Sequence, residues 1–593
     1  MRGVVKGIPD TLTVNRGLWT MATARPGKHQ SIGAILERNA LRYADHTALC
    51  YQDESWTYAE LNAWANRYAA SFRDAGIGRG DCVGILMENR PEVLVAAAAA
   101  VKLGAVAGML NHNQRGQVLA HSLSLIQPKL MVIGAECVGV WDTLTTEQAG
   151  SPVQLDWVAE STTDRCPPGY ADLEVSAARK SGANPQETGS VTHADPCFYI
   201  FTSGTTGLPK ASVMSHGRWI RAMGGMGLAS LRLKSSDIFY CPLPLYHNNA
   251  LSVSWGAAMG AGAALALSRK FSVSRFWEEV RHFEATAFCY IGELCRFLLN
   301  QPASAQDREH ALRLAVGNGL SPEIWDVFKS RFGIERINEF YGASEGNAAF
   351  SNGFGIDRSA GYCPMPFAIV EFDPASEQPK RDSRGRFIRV EKGGVGLLIT
   401  KVTRSATFDG YTDPYESEKK LFRNVFRKGD EWFDTGDLVR DQGWRHIQFV
   451  DRVGDSFRWK GENVATTEVA SVLNGFPQIA QSVVYGVKVP NADGRAGMTS
   501  LTLNVKPAEF DARGLAAFLQ ERLPSYAIPL FLRLRRDQET TDTFKHRKLT
   551  LREEGFDVER ISDPLFVLLD AQRGYEVLNA RLNAEIEAGN VRL

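Results

Sequence analysis

The chain has 593 residues, and because a single hydrophobic core stops growing near ~250–300 residues, more than one domain is predicted. Hydrophobic residues make up 44% and charged residues 23%, which is typical of a folded globular protein and not of a disordered one. Lys plus Arg and Asp plus Glu each number 67. This balance argues against a nucleic-acid partner and against a broadly basic membrane-binding surface.

The nine cysteines are scattered along the chain without a CxxC pair. Neither a zinc site nor a disulfide framework is therefore expected, and the predicted location is a reducing cytoplasm. Two apolar stretches, 93–110 and 251–268, are about long enough to span a bilayer. Both are rich in small Ala and Gly residues, and Lys102 interrupts the first. We therefore expect each stretch to be a buried helix that runs into a strand.

The first part of the chain alternates between helical and strand-like patterns. Residues 1–30 are basic and are predicted to form an irregular lead, and a helix follows at 58–75. Short apolar runs at 81–87 and 194–201 predict strands, whereas 160–195 is rich in Thr, Ser, Gly, Pro and charge and is expected to be a surface connection. Alternation of this kind predicts α/β layers.

The pattern changes near residue 450, where a flexible Gly454-Asp455 pair follows a short strand at 448–453. The predicted elements beyond it are a helix at 466–473, strands at 482–489 and 499–505, and a helix at 512–522. They suggest a compact α+β domain of about 140 residues. The predicted organisation is an N-terminal extension at 1–30, a large domain at 31–453 and a smaller one at 454–593.

The most specific local signal is the string TSGTTGLPK at 202–210, directly after a predicted strand. Gly lets backbone N–H groups approach phosphate oxygens, hydroxyl side chains donate further hydrogen bonds, and Lys supplies positive charge. The candidate phosphate-binding residues are Thr202, Ser203, Gly204, Thr205, Thr206, Gly207 and Lys210. A Walker loop needs GxxxxGK[ST], and since this spacing differs, a generic P-loop NTPase is disfavoured.

The longer string YIFTSGTTGLPKAS resembles the phosphate-loop signature of adenylate-forming enzymes, which include acyl-CoA synthetases, luciferases and peptide-synthetase adenylation domains. The family's other motifs follow in order: LPLYHNN at 243–249, GNG at 317–319, YGASEG at 341–346, TGD at 435–437 and DR at 451–452. The likeness covers about residues 31–570. The strings VFRKGDEWFDTGD and DRVGDSFRWKGENVATTEV further resemble the very-long-chain acyl-CoA synthetase or fatty-acid transport protein branch.

The resemblance implies an α/β fold in which a large N-terminal adenylate-forming domain of layered sheets and helices precedes a smaller, mobile α+β C-terminal domain. It also implies a long- or very-long-chain fatty acid–CoA ligase that uses ATP, Mg²⁺ and CoA and works through an acyl-adenylate. The alternatives are a fatty acyl-AMP ligase that loads a carrier protein, a sterol- or bile-acid-type CoA ligase, and a fatty-acid uptake protein. Because the implied substrate is hydrophobic, peripheral association with the inner face of a membrane is compatible with the sequence. The sequence makes no prediction of the oligomeric state.

The resemblance also assigns nucleotide-binding roles. Glu345 would bind Mg²⁺, with Thr205 as a second candidate, since Mg²⁺ prefers carboxylates and phosphate oxygens. Tyr341 would stack on adenine, and Asp437 would accept hydrogen bonds from both ribose hydroxyls. A surface Glu and a core Tyr are the competing interpretations of Glu345 and Tyr341. The other implied nucleotide contacts are Gly317, Asn318, Gly319, Glu339, Phe340, Gly342, Ala343, Ser344 and Arg452.

Two residues are implied in catalysis besides Glu345. His247 would lie beside the substrate carboxylate and the α-phosphate, although a structural histidine is the competing interpretation. Lys545 would bridge the same two groups in the transition state of adenylation. The family usually shows Gly-Lys at this point, whereas this chain has Phe-Lys, and Lys548 is a rival candidate.

The hinge and the CoA and acyl sites are also inferred from the resemblance. Gly454 and Asp455 stand where the two domains would rotate between half-reactions, and Gly tolerates a large change of backbone angles. The implied CoA contacts are Trp459, Lys460, Gly461 and Glu462. The apolar segment 288–298, which Glu293 and Arg296 interrupt, is either an acyl tunnel wall or a core helix.

Overall fold

The computed structural model describes residues 8–148, 153–203, 208–373, 376, 378–460, 462–490, 494–538, 548–570 and 572–591. Three sheets and the helices packed on them form the described part of the chain. The predicted α/β fold is confirmed. It comprises a large N-terminal part with two sheets and a smaller C-terminal part with one.

The sheets differ in size and in strand direction. The largest contains, from one edge to the other, Phe367–Val370, Val395–Lys401, Glu431–Gly443 (paired also with Leu421–Arg423), His446–Arg452, Gly361–Tyr362, Ala349–Ser351, Arg336–Gly342, Leu314–Asn318, Ala287–Ile291, Ile238–Cys241, Ala264–Leu267, Thr47–Tyr51 and Glu54–Thr57. The second contains Ala171–Asp172, Gln154–Val158, Leu130–Gly134, Cys82–Leu86, Val106–Met109, Pro196–Ser203 and Pro209–Ser215. The third contains Ile479–Val487, Ala496–Leu503, Phe531–Leu534, Leu565–Asp570 and Gly574–Val577, and two small ladders join Phe372–Asp373 to Gln378–Pro379 and Phe457–Trp459 to Glu462–Val464.

The helices cover these sheets. The α-helices are Ile8–Thr23, Ile32–Arg42, Tyr58–Asp74, Pro91–Lys102, Gly116–Ile126, Val138–Trp141, Leu173–Ala178, His216–Ala222, Trp255–Ala261, Phe276–His282, Gly292–Leu299, Pro322–Phe332, Pro414–Glu418, Thr466–Asn474, Ala512–Gln520, Lys548–Glu554 and Ala580–Glu587. Short 3₁₀ turns lie at Ala135–Cys137, Gln186–Ser190, Ala305–Arg308 and Pro507–Glu509. Two segments, Met223–Leu231 and Asn249–Ser254, are π-helical. Such helices are rare, and those that occur are frequently found at functional sites.

Both long apolar stretches of the sequence are buried in the N-terminal part, as predicted. Pro91–Lys102 is a helix whose residues are almost all buried, and it leads into the buried strand Val106–Met109. The second stretch forms helix Trp255–Ala261 and strand Ala264–Leu267 in the same manner. Within the described ranges, no helix combines the length and apolar character needed to cross a membrane.

One expectation about an irregular segment is wrong. Residues Ile8–Thr23 form a helix of 16 residues instead of an irregular lead. It packs closely on Met223–Leu231 because Gly17 lacks a side chain: a Cβ there would lie 2.5 Å from the Gly224 carbonyl oxygen. The stretch 160–195, expected to be a surface connection, is mostly exposed and contains the short helix Leu173–Ala178, whose first and fifth residues are buried.

The C-terminal part has its own hydrophobic core, which begins at Phe457 and ends at Ile586 among the described residues. Hydrogen bonds connect it to the larger part: Ser471 Oγ donates to Glu323 Oε2 at 2.9 Å and Gln481 Nε2 to Glu293 Oε2 at 2.8 Å. A separate core is consistent with a separate domain, and the limits 31–453 and 454–593 stay a prediction.

The ion pair between Lys102 and Glu37 generates a test of the fold. Lys102 is fully buried and its ammonium lies 2.8 Å from Glu37 Oε1, which is partly exposed. We expect Glu37→Gln to destabilise the protein by about 3–5 kcal/mol because it leaves a buried charge without its counter-charge. Lys102→Met, which removes that charge, should cost less. Thermal and urea unfolding midpoints measure both, and equal losses would contradict the argument.

Candidate active site

The glycine-rich string connects two antiparallel strands. Pro196–Ser203 and Pro209–Ser215 pair as a hairpin with Thr202 opposite Lys210. Residues 204–207, which contain four of the predicted phosphate-binding residues, lie outside the described residues, as does the side chain of Ser203. The hairpin therefore places the described ends of the loop, Thr202 and Lys210, side by side.

Sequence reasoning missed the segment that lies against this hairpin. The backbone N–H of Val213 donates to the Gly410 carbonyl at 2.9 Å, and that of Thr412 donates to Ala211 at 2.9 Å. Asp409 also accepts a hydrogen bond from Ser215 Oγ at 2.7 Å. The string FDGYTD at 408–413 spans this segment and could have indicated it.

The missed segment contributes two partners for predicted site residues. Tyr411 donates its hydroxyl to Glu345 Oε1 at 2.9 Å. Burial and the nearby Glu345 carboxylate raise the pKa of Tyr411, so its hydroxyl stays protonated and donates. The Lys210 ammonium forms an ion pair with Glu416 and lies 5.8 Å from the centre of the Tyr411 ring. Lys210 and Glu345 are thus both brought next to the same tyrosine.

Hydrogen bonds to the Ser344 carbonyl fix the turn that carries Glu345. The strand Arg336–Gly342, which contains the predicted Glu339, Phe340 and Gly342, pairs with Ala349–Ser351, and the turn between them contains Ala343 and Ser344. The Ser344 carbonyl accepts hydrogen bonds from Ser212 Oγ at 3.0 Å and from the Arg218 guanidinium. These contacts attach the turn to the hairpin strand and explain why Glu345 faces Tyr411.

Tyr341, Asp437 and Arg452 form a second cluster. Tyr341 donates its hydroxyl to Asp437 Oδ2 at 2.5 Å, and Arg452 Nε lies 3.6 Å from Asp437 Oδ1. Asp437 and Arg452 are directly opposite each other on paired strands. Burial raises the pKa of Asp437, although Arg452 opposes the shift. The structure therefore joins three predicted nucleotide-binding residues in one contact set; their roles toward ligands stay predictions.

Glu339 lies next to the loop at 317–319, which contains three of the predicted nucleotide contacts. Its carboxylate accepts hydrogen bonds from the backbone N–H groups of Gly319 and Leu320, at 3.2 and 2.9 Å, and from the Tyr290 hydroxyl at 2.8 Å. Burial raises the pKa of Glu339 to about 7. All three partners are protein groups, so the described contacts of Glu339 support the shape of the loop.

Two glycines allow this loop to lie against the neighbouring strand and helix. A Cβ at Gly292 would lie 1.7 Å from the Gly319 carbonyl oxygen. A Cβ at Gly317 would lie 2.3 Å from the Tyr290 carbonyl oxygen. Real Cβ atoms do not approach other atoms so closely, so only glycine permits this backbone arrangement.

His247 is held by a turn at the start of a π-helical segment. Its backbone N–H donates to the Pro244 carbonyl at 3.1 Å, and its carbonyl accepts from Leu251 N–H at 3.0 Å. Sequence reasoning missed Asn89, a buried residue that donates to the Leu243 carbonyl and accepts from Leu245 N–H, both at 2.8 Å. The segment that carries His247 is therefore positioned by a distant part of the chain.

The predicted hinge lies in a cluster of charges. A Cβ on Gly454 would meet no atom within 4 Å, so nothing crowds the proposed pivot. Asp455 lies 2.8 Å from the Arg552 guanidinium and 3.4 Å from the Lys548 ammonium. Burial disfavours the charged form of Asp455, but these cations outweigh it and lower its pKa. Lys548 also donates to Thr466 Oγ1 at 2.9 Å, so the rival lysine is bonded to the hinge region.

The remaining predicted residues near the hinge receive less support from contacts. Lys545 and Gly461 lie outside the described residues. Trp459 is buried, Lys460 has a left-handed backbone with its ammonium 5.6 Å from the Trp459 ring centre, and Glu462 is exposed. No described contact distinguishes a CoA-binding role for these residues, which stays a prediction.

The apolar segment 288–298 has the features of core structure. Phe288 and Tyr290 are fully buried in strand Ala287–Ile291, and Phe288 packs edge-on against Phe276. Arg296, one of the two charged interruptions, lies 3.1 Å from Glu323, which also accepts a hydrogen bond from the C-terminal part. The interruptions therefore mark the contact between the two parts of the molecule.

A layered α/β fold with a glycine-rich hairpin beside a Tyr–Asp–Arg cluster is the architecture of a nucleotide-binding enzyme. The chain belongs to the AMP-binding enzyme family, whose model matches residues 36–384. It is 48% identical to the medium/long-chain-fatty-acid–CoA ligase FadD6 of Mycobacterium tuberculosis, over 98% of this chain and 95% of that protein. It is 38% identical to long-chain fatty acid transport protein 6 of Mus musculus, over 92% of this chain and 88% of that protein.

Solved structures share the fold. The anthranilate CoA ligase AuaEII in complex with anthranoyl-AMP is 20% identical with a TM-score of 0.77, covering 88% of this chain and 97% of that one. ATP-bound MatB from Rhodopseudomonas palustris is 22% identical with a TM-score of 0.73, covering 88% and 98%. At such identity the likeness concerns the fold alone.

The close approach of Gly292 to the loop at 317–319 predicts an effect on nucleotide binding. We expect Gly292→Ala and Gly317→Ala to weaken AMP binding about tenfold or more, because each new Cβ must displace the loop backbone. Isothermal titration calorimetry with AMP measures this effect. Gly189→Ala, whose Cβ would meet no atom within 4 Å, is the matched control. Unchanged affinity in both loop variants, with folding intact, would separate this loop from the nucleotide.

Proposed function

We propose that this chain is an ATP-dependent fatty acid–CoA ligase whose substrates are medium- to very-long-chain acids. The observation that carries the proposal is the 48% identity to a medium/long-chain-fatty-acid–CoA ligase across nearly the whole of both chains. The contact sets around Glu345 and Asp437 support it, because they gather carboxylates, a lysine and an arginine beside the glycine-rich hairpin.

The proposed reaction has two steps. A carboxylate oxygen of the fatty acid attacks the α-phosphorus of ATP, the bond to the β-phosphate oxygen breaks, and diphosphate leaves. The thiol of CoA then loses its proton and attacks the carbonyl carbon of the acyl-adenylate, and AMP leaves. The first step brings anionic oxygens together, so charge stabilisation and positioning supply most of the rate.

The nucleotide occupies the side of the site formed by the hairpin, the loop at 317–319 and the Tyr341 cluster. Lys210 and the glycine-rich loop hold the β- and γ-phosphates, and Asp437 accepts from the ribose. Tyr341 already donates to Asp437, which fixes the tyrosine ring next to the ribose position. The ring can then cover one face of the adenine.

Glu345 fits a Mg²⁺ site in which most ligands come from the substrate. One carboxylate combined with phosphate oxygens and water is a common donor set for Mg²⁺. Tyr411 occupies one oxygen of Glu345, which leaves the other for a cation. Bound together with ATP, Mg²⁺ would neutralise charge on the phosphate oxygens.

Lys545 and His247 act at the carboxylate and the α-phosphate in this proposal. Residues 31–453 form the adenylation domain, and 454–593 rotate about Gly454 and Asp455 to bring 459–462 toward CoA. The chain works as a cytoplasmic enzyme at the inner face of a membrane, where its substrates dissolve. The transport-protein names of several relatives favour a second role in uptake, in which CoA ester formation traps the acid inside the cell.

The first test measures diphosphate and acyl-CoA formation from ATP, Mg²⁺ and fatty acids of increasing length, with and without CoA. We expect CoA-dependent thioester formation with a maximum in the medium- to long-chain range. Diphosphate release without thioester would indicate a fatty acyl-AMP ligase, and turnover of sterol-type acids alone would change the substrate class. Inactivity toward every acid would overturn the proposal.

The two lysines near the C-terminus should affect different steps. We expect Lys545→Ala to slow acyl-adenylate formation by roughly 100-fold or more, because it removes a positive charge from the transition state. Lys548→Ala should mainly slow thioester formation, because Lys548 contacts Asp455 and Thr466 at the hinge. Single-turnover diphosphate release and thioester formation separate the two. The reverse pattern would make Lys548 the catalytic lysine, and fatty-acid uptake that survives Lys545→Ala would favour a transporter.

A further inference from the structure

The helix Ile8–Thr23 presents an uncharged face to solvent. Leu12, Leu18 and Trp19 are 69%, 50% and 65% exposed. The other exposed residues on the helix are Thr11, Asn15 and Ala22, so the described side chains of this face carry no charge. A surface helix normally directs charged and polar residues outward, so this helix has the opposite character to that expected for a face in water.

Several cations lie on or near this helix. The Lys28 ammonium lies 5.3 Å from the centre of the Trp19 ring, and Arg25 is exposed just beyond the helix. Arg16 and Arg42 lie near Arg38, where burial and their positive charges lower the pKa of Arg38. We call Arg16, Arg25, Lys28, Arg38 and Arg42 the basic rim.

We propose that Ile8–Thr23 is an interfacial helix that docks on an anionic lipid bilayer, with Leu12, Leu18 and Trp19 in the headgroup region and the basic rim on the lipid phosphates. Apolar side chains flanked by Lys and Arg are the features by which a helix lies in the plane of a membrane surface. A second copy of the chain fits less well, because like-charged rims would repel and three side chains expose far less than the roughly 800 Å² per partner of a stable dimer.

Close packing connects this helix to the segment that follows His247. Arg16 donates to the Gly260 carbonyl at 3.0 Å, and a Cβ on Gly225 would lie 2.8 Å from Met21 Sδ. Gly227, in the same π-helical segment as Gly225, would bring a Cβ within 2.6 Å of Ala257 Cα. Ala257 belongs to the helix that follows Asn249–Ser254, the segment that begins just after His247. The docked helix would thus hold this side of the enzyme against the lipid that contains its substrates, an extension that rests on the proposed function.

Vesicle binding of the full-length protein tests the proposal without turnover. In sedimentation with vesicles of phosphatidylcholine and phosphatidylglycerol, we expect the unsubstituted protein to bind. Leu12→Ser/Trp19→Ser should lower the affinity about tenfold or more, since it removes most of the apolar anchor. Trp444→Ser, which replaces a tryptophan that is 89% exposed elsewhere, should bind as the unsubstituted protein does.

A second set of vesicle measurements tests the role of the basic rim. Arg25→Gln/Arg42→Gln should weaken binding to the anionic vesicles and reduce its sensitivity to salt between about 0.1 and 0.5 M. Pure phosphatidylcholine vesicles should bind the unsubstituted protein more weakly than anionic ones, and equal binding would overturn the role of the rim.

Activity and association measurements complete the test. The Leu12→Ser/Trp19→Ser variant should keep its activity on a water-soluble medium-chain acid and lose activity on a long-chain acid supplied in vesicles. If the protein does not bind vesicles, or if the variant binds as well as the unsubstituted protein, the proposal is wrong. A dimer that this variant abolishes, without vesicle binding, would assign the face to a second copy. Vesicle binding by a protein without ligase activity would overturn the proposed function and leave the membrane contact standing.

Discussion

The backbone pairing between strand Pro209–Ser215 and residues 410–412 determines the arrangement of the candidate site. Because these hydrogen bonds join segments about two hundred residues apart, they bring Tyr411 and Glu416 to the hairpin that carries Lys210. Tyr411 then contacts Glu345, which a separate turn provides. Loss of this pairing, in which Tyr411 lies opposite Ser212, would separate the lysine, the tyrosine and the carboxylate at once.

Buried carboxylates give the site its electrostatic character. Desolvation raises the pKa of Asp437 and that of Glu339, and each is partly compensated by donors placed around it. Asp437 has Tyr341 and Arg452, whereas Glu339 has two backbone N–H groups and Tyr290. Such groups accept hydrogen bonds without needing to reorient, a property that the proposed ribose contact of Asp437 would use.

Polar groups form several of the described contacts between the two parts of the molecule. Glu323 accepts from Ser471 and Glu293 accepts from Gln481, while Arg440 pairs with Glu468. Polar contacts exchange readily with water, so they oppose a rotation less than a buried apolar interface would. The charge cluster around Asp455 would hold one orientation until another set of contacts replaces it.

The sequence by itself determined the fold class and most of the residues that the structure brings together. The apolar pattern of the sequence predicted the buried helix and strand at 93–110, because a buried segment requires apolar residues at the positions that face the core. The motif positions identified Lys210, Tyr341, Glu345, Asp437 and Arg452 as candidate site residues, since short motifs have the spacing that their chemistry needs.

Tertiary structure alone decided which residues support these groups. Asn89 and Glu416 carry no local signal, because their roles depend on contacts with segments far away in the chain, whereas Tyr411 lies in the string FDGYTD. The helix Ile8–Thr23 was missed for a related reason: its outward face is uncharged and exposes large apolar side chains, and its inward face contains Gly17, which departs from the pattern that predicts a surface helix. The order of apolar and polar residues within a segment predicts which of its faces is buried. Only the tertiary structure shows which other segment covers that face.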